Sequence, residues 1–290
     1  MIVDSAPQTE YVYQVSDEYQ LQLLKNQFHN LYHLLVDYQY IPQACYEKKG
    51  SLERYFSGLP TLNFNAVIGW LGDPKEYDAC ITDELKFFGD VPFFWYVEEH
   101  ASSEFKEALK KHGFVDAGIF RGVIGSLDEP VASTAIPEDC VLEMVEDEKA
   151  MEEFNDLVCQ VFEIENPTKK AYNQMLWDLT LEKPRQWYHW VARKEGKVVS
   201  AVSTMIQDGV VSFWNGASLS ELRKQGLSTA LRRFSLQHAQ ANGALFGSSY
   251  LMSEGLAFGI CSKLGYKTKW RFHAFVSPTK ADNGAHQRNE

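Results

Sequence analysis

The chain has 290 residues, 45% of them hydrophobic, 13% aromatic and 23% charged, which excludes a wholly disordered or collagen-like protein and allows one large domain or two ordinary ones. The formal charge of -11 argues against unaided contact with nucleic acid or an anionic membrane. That charge is uneven: residues 1–135 carry a net -10, residues 136–165 another -10, and residues 166–290 a net +9, so the last part either suits an anionic cofactor or is simply a solvated basic surface.

The N-terminal ten residues lack the basic and apolar regions of a secretory signal, and no apolar run approaches the length of a membrane span, so a soluble cytoplasmic protein is expected, with export by another signal left open. Apolar residues at helical spacing predict a helix over 21–38, followed by Pro42. A second short helix is expected around Leu52, Tyr55 and Phe56. Strands are expected over 64–70, 79–82 and 92–97, with Gly72, Asp73 and Pro74 forming a turn between the first two. Residues 104–111 then read as a helix with Phe105, Ala108 and Leu109 on one face, stopped by His112 and Gly113. The aperiodic stretch 132–137 marks a division into an N-terminal part, 1–135, and a C-terminal part, 136–277, with a flexible polar tail over 278–290.

The second part is more regular. Met151, Phe154, Leu157, Val158, Val161 and Phe162 form an amphipathic stripe ending before Asn166 and Pro167, and Tyr172, Met175 and Leu176 suggest another helix. Strands are expected over 187–193, 198–206 and 210–215, separated by the turns Glu195-Gly196-Lys197 and Gln207-Asp208-Gly209. A helix beginning near Gln225 should bury Leu227, Ala230, Leu231, Phe234, His238 and Ala241, ending at Asn242 with Gly243 in a left-handed cap. A buried strand over 244–251, a short helix over 256–264 and an edge-like strand over 267–276 complete the chain. Cys45, Cys80, Cys140, Cys159 and Cys261 are scattered, without the spacing of a disulfide scaffold or zinc site.

The segment Ala217-Ser218-Leu219-Ser220-Glu221-Leu222-Arg223-Lys224-Gln225-Gly226-Leu227-Ser228-Thr229 carries the strongest chemical signal. A small-residue turn between strand and helix leaves main-chain N–H groups that can converge on phosphate oxygens. Gly226 permits close approach, Ser228 and Thr229 add hydroxyls, and Arg223 and Lys224 add positive charge. An ordinary strand-to-helix turn is the competing reading. Neither a nucleotide-hydrolysing phosphate loop nor a dinucleotide fingerprint is present.

The order of these elements resembles the GCN5-related N-acetyltransferase (GNAT) superfamily, over roughly the stretch from Asp147 to Val276. Arg223-Lys224-Gln225-Gly226-Leu227-Ser228 resembles its Arg/Gln-x-x-Gly-x-Gly/Ala pyrophosphate loop, and Leu264-Gly265-Tyr266 its Leu-Gly-Phe signal. The resemblance implies an α/β fold, acetyl coenzyme A as cofactor, pyrophosphate on the loop's amides, and an opening beside the strand carrying Asn215, Ala217 and Ser218 for pantetheine and acceptor. Residues 92–114, with no matching loop, are similar to a second, degenerate domain of the same family, which implies tandem GNAT-like domains, each a mixed central sheet flanked by helices. An unrelated α/β cap is the alternative for this half.

One departure concerns Cys261. The family usually places there a tyrosine that donates a proton to the leaving thiolate. Packing, proximity to the coenzyme, and acid or nucleophilic catalysis remain three readings of the cysteine. For the acceptor side, Glu254 is preferred over Glu221, which can instead cap the helix, and over His189, which fits a packing role. The implied reaction is transfer of acetyl from acetyl coenzyme A to an amine, with a small molecule preferred over a peptide or protein amine. A non-catalytic acyl coenzyme A-binding or interaction protein is the alternative.

Overall fold

Helix α1 (Asp17–Asp37) follows the expected stripe, with Leu24, Phe28, Tyr32 and Leu35 buried on one face. The computed structural model describes residues 16–37, 44–166, 168–181, 184–252 and 255–278. The arm over 1–10, Tyr38, Pro42, Pro167 and nearly all of the expected tail therefore lie outside the described residues. Strands β1 (Cys45–Lys49) and β2 (Leu52–Phe56) form a hairpin around Gly50, whose φ of +63° favours glycine. The expected helix around Leu52 and Tyr55 is therefore a strand. Five residues beside a tight turn are too few to nucleate a helix, whereas pairing with β1 and β3 (Asn65–Ile68) satisfies the main chain on both sides.

The expected strand over 79–82 is also corrected, because those residues lie inside helix α2 (Tyr77–Phe88). Asp73 accepts from the Lys75 N–H, Pro74 starts a short 3-10 turn, and Tyr77, Ile81, Glu84 and Phe88 are buried at helical spacing. Strand β4 (Phe94–Glu98) and helix α3 (Ser103–Lys111) occur near their expected positions, with the Ser102 hydroxyl accepting from Glu104 and Phe105. Strand β5 (Val115–Ser126) follows Gly113. Residues 127–139 contain no helix or strand.

The remaining elements are β6 (Cys140–Met144), α4 (Glu148–Phe162), α5 (Thr168–Leu181), β7 (Trp187–Lys194), β8 (Lys197–Gln207), β9 (Val210–Ser218), α6 (Leu227–Ala241), β10 (Phe246–Met252), α7 (Leu256–Lys263) and β11 (Lys267–Val276). Gly243 takes φ of +85°, as its expected capping role requires. On α6 the buried face is rotated from the expected stripe: Ser235, Leu236 and Ala239 are buried, whereas Phe234 is exposed.

The eleven strands of the described residues join one mixed sheet in the order β1-β2-β3-β4-β11-β5-β10-β9-β8-β7-β6. Only β3·β4 and β9·β10 are parallel; these pairs are the corresponding centres of the two halves. Each half also lends its last strand to the other: β11 lies between β4 and β5, and β5 lies between β11 and β10. The expected edge strand over 267–276 is thus central: the alternation of Trp270, Phe272 and Ala274 with more exposed neighbours marks one face buried beneath α1 and the other partly open, which a central strand shows as readily as an edge.

Helices α1, α4 and α5 cover one face with a hydrophobic cluster that runs through both halves. On the opposite face, α2 and α3 cover the first half and α6 and α7 the second, in separate clusters. Phe28 of α1 meets the rings of Tyr96, Tyr250, Trp270 and Phe272, at centroid distances of 5.1, 5.0, 5.4 and 5.2 Å, and so bridges β4, β11 and β10 across the junction of the two halves.

Candidate active site

The first turn of α6 rises from an exposed loop. Lys224 and Gly226 both have positive φ, +66° and +84°, and this double reversal turns the chain from the short 3-10 segment Ser220–Leu222 into the helix. No side chain caps α6, and a Cβ at Gly226 would meet nothing within 4 Å. The N–H groups of Leu227, Ser228 and Thr229 precede the first i→i−4 bond, from Ala230 to Gly226, and are free to bind an anion. Arg223, Lys224 and Gln225 are exposed around this turn, while Leu227 is buried beneath it. Glu221 binds the Ser220 hydroxyl at 3.1 Å and does not cap the helix.

Strands β9 and β10 pair only from Val210↔Phe246 to Phe213↔Ser249. Beyond that point β9 continues against β8, and β10 continues against β5, leaving a split between them. Asn215 initiates a bulge, with φ of +52° and a register shift opposite the Ala201–Ser203 stretch of β8. Its Nδ2 donates to the Ser203 hydroxyl at 2.9 Å, which lies 2.8 Å from His189 Nδ1. Ala217 is buried; Ser218 shares a 2.7 Å hydrogen bond with Ser200, and the Leu219 N–H binds the Val199 carbonyl at 3.0 Å.

His189 is fully buried between Phe154 and Trp187. Burial, reinforced by the positive charge of Arg185, drives its pKa from 6.5 to about 3, so it stays neutral and helps to fix Asn215 through Ser203. On the α1/α4/α5 face the split meets a cavity of about 230 Å³. Phe28, Tyr32 and Leu35 of α1 form one wall, Phe162, Tyr172 and Met175 another, and Trp214, Asn215 and Tyr250 the floor. Trp214 and Tyr250 stack across the split at 5.1 Å. Burial raises the Tyr172 and Tyr250 pKa values, and among the described residues the lining contains no Asp, Glu, Lys or Arg.

Cys261 lies elsewhere, in the hydrophobic cluster beneath α6 and α7, and is not part of the cavity wall. Burial raises its pKa; the positive charge of Arg232 and a hydrogen bond with Ser249 act in the opposite direction. Glu254 lies outside the described residues. The structure brings Asn215 to the cavity and gathers residues 223–229 at the helix start. The α1 aromatics, Tyr172, Trp214 and Tyr250 escaped sequence reasoning, since strand exchange and cross-chain packing, not local spacing, assemble them.

No protein-family model matches the chain, and no curated protein matches it. Among solved structures, a GCN5-related N-acetyltransferase from Kribbella flavida superposes with a TM-score of 0.64 at 16% identity, over 91% of this chain and 98% of that one. A tandem GNAT protein from the clavulanic acid biosynthesis pathway gives 0.58 at 13% identity, over 90% of this chain and 94% of that one. A GCN5-related N-acetyltransferase from Sphaerobacter thermophilus gives 0.59 at 14% identity, over 79% and 78% of the respective chains. The chain has a tandem GNAT fold.

Proposed function

We propose that this tandem GNAT-fold chain transfers acetyl from acetyl coenzyme A to an amine whose apolar part occupies the cavity between α1 and α5. The observation that supports this reading most directly is the alignment of an uncapped helix start, a split between parallel strands, and an apolar cavity reached through the bulge at Asn215.

The N–H groups of residues 227–229, with Arg223 and Lys224 beside them, suit a pyrophosphate: oriented dipoles and positive charge meet around a glycine with open space over it. When bound, the coenzyme supplies an acyl carbon activated as a thioester. Asn215, locked through Ser203 and His189, provides a rigid edge in the floor of the cavity, where it meets the strand split. The uncharged aromatic walls exclude water and disfavour an ammonium ion, so they favour the neutral amine that can attack. Glu254 remains the proposed acceptor-side group, and Cys261 is proposed to pack, with proximity to the coenzyme and acid or nucleophilic catalysis as its alternatives; a small amine is the proposed acceptor.

Calorimetry with acetyl coenzyme A and a thiol-release assay against an amine panel test the proposal. Wild type should bind and release thiol in the presence of at least one amine, and Gly226→Asp should abolish binding while leaving the fold intact, because a carboxylate would stand at the anion site. Unchanged affinity in the folded variant would remove this site. The buried position of Cys261, outside the cavity wall, favours a second reading, coenzyme binding without turnover, which tight binding and no transfer would establish.

A further inference from the structure

Arg232 is the one arginine or lysine among the described residues with a side chain in the buried class, at 5% exposure, and it belongs to no ion pair among them. It projects from α6 beneath β9, with its guanidinium 4.6 Å from the centre of the Phe213 ring. A Cβ at Gly216 would lie 3.3 Å from its Nη2, so the absence of a side chain there makes room for the cation. Its Nε and Nη1 are buried without a hydrogen-bond partner among the described residues. Phe213 is the last residue of β9 paired to β10, and Gly216 lies in the bulge, so the orphaned donors sit where the two strands part.

A buried guanidinium without a counter-charge is costly, because neither Coulombic attraction nor hydrogen bonds replace its lost hydration. Its ionisable neighbours do not meet this need: the Cys261 thiol and Tyr266 hydroxyl feel the charge of Arg232, yet burial keeps both in their neutral, protonated forms. The Tyr266 hydroxyl is itself buried without a hydrogen-bond partner among the described residues. The pyrophosphate is an unsuitable occupant. Arg232 lies five residues past Leu227, about 7 Å along the helix axis from the phosphate-binding turn, and faces the strand split.

We propose that Arg232 is an anion-binding residue for the coenzyme's sulfur, holding coenzyme A as the thiolate in the split between β9 and β10. The inference rests on the coenzyme-binding reading above. Binding in this form transfers one proton from the thiol to buffer, and the guanidinium supplies the balancing charge and the two unused N–H donors. At neutral pH a thiol with an ordinary pKa near 8.5 is only about 3% ionised, so the site must favour the ionised form by roughly 30-fold or more. A charge-assisted contact to a desolvated cation is of the right kind for that task. The same charge would stabilise the electron pair left on sulfur when the acyl carbon–sulfur bond breaks and the carbon–nitrogen bond forms, the amine nitrogen giving up one proton to solvent. Arg232 then takes over a burden that a weakly acidic Cys261 does not carry.

The experiment is titration calorimetry of the full chain with coenzyme A and with desulfo-coenzyme A, each in two buffers of different ionisation enthalpy at neutral pH. Desulfo-coenzyme A has the same phosphates, so subtraction isolates protons released by sulfur. Wild type should release close to one additional proton with coenzyme A and bind it about tenfold more tightly than the desulfo compound. Arg232→Met should lose both differences while retaining affinity for desulfo-coenzyme A, and Arg232→Lys should recover part of the proton release. Equal proton release and equal affinity for the two ligands in wild type would overturn the proposal, as would persistence of the difference in a folded Arg232→Met variant. If Arg232→Met does not fold, the wild-type pair of ligands decides alone. Failure of both ligands to bind wild type would instead remove the coenzyme site, and this inference with it.

Discussion

Gly247→Ala tests the contact that locks the two halves together behind the strand split. Gly247 of β10 faces Gly125 of β5 in register, and the Tyr266 ring lies against this pair of glycines. A Cβ at Gly247 would stand 1.7 Å from the Tyr266 hydroxyl oxygen and 2.6 Å from Cζ; one at Gly125 would stand 2.5 Å from Cδ1. Ordinary carbon contacts begin near 3.5 Å, so the ring would have to withdraw by more than about 1 Å. It has little room, being buried in the same cluster as Leu236, Leu251 and Cys261. Overpacking of this kind costs about 1–3 kcal/mol, and at roughly 2–4 °C per kcal/mol for a chain of this size class Tm should fall by about 2–12 °C.

The sign of the change identifies its cause. In an ordinary strand, glycine to alanine at an unstrained φ is stabilising, by about 0.5–1 kcal/mol. In a Tyr266→Leu background, where the obstructing end of the ring is absent, Gly247→Ala should therefore cost nothing or raise stability, although Tyr266→Leu itself leaves a cavity. Urea and thermal unfolding of the four proteins in this double-mutant cycle measure the coupling. An identical loss from Gly247→Ala in both backgrounds, or no loss beside Tyr266, would refute the claim that the ring and the glycine occupy one space.

If the proposed acetyl transfer is found, Cys261→Ala should keep a substantial part of it and lose about 1 kcal/mol of stability from a small cavity; a folded variant with normal coenzyme affinity and no turnover, where wild type turns over, would make Cys261 part of the chemistry. His189 has a folded pKa of about 3 against an ordinary 6.5, so it contributes no pH dependence above the higher value. As pH falls below that, the unfolded chain takes up a proton that the folded chain refuses, and stability should drop by about 2 kcal/mol by about pH 5. His189→Gln should flatten that part of the profile in urea unfolding, and an unchanged slope would show that the imidazole is not held neutral. A fragment covering only 136–290 lacks β5 and leaves β10 and β11 without their shared neighbour, so it should be insoluble or unfolded alone and recover when produced with 1–135.

Local order was legible wherever one element fixed its own environment. The α4 stripe, the β7–β9 meander and the glycine-ended α6 follow from periodicity and turn chemistry within a few residues. The two wrong assignments, a helix at Leu52–Phe56 and a strand over 79–82, arose in short windows that satisfy either period. Tertiary pairing decided the first and the Asp73-Pro74 start the second. Nothing local marks β11 as central, because its position depends on an exchange of strands about 150 residues apart in sequence. Arg232 carried a faint signal: it shares a stripe with Ser235, Leu236 and Ala239, small or apolar residues on which a solvated arginine is out of place.

The exchange also explains how a half without its own phosphate-binding loop can shape the proposed reaction. Strand β5, from the first half, is what β10 pairs with after it parts from β9; without it the split would leave β10 as an unsupported edge. Helix α1 then crosses both halves: Gln27 donates to the Gln207 carbonyl at 3.1 Å, Asn30 to the Gln207 side chain at 3.0 Å, and Phe28 and Tyr32 wall the cavity whose floor contains Asn215. The first half therefore supports one strand of the split and closes one wall of the proposed acceptor cavity. If the proposal holds, changes on α1 should alter acceptor selectivity while leaving coenzyme affinity intact, because α1 reaches the cavity and the proposed anion-binding turn starts a helix on the opposite side of the sheet.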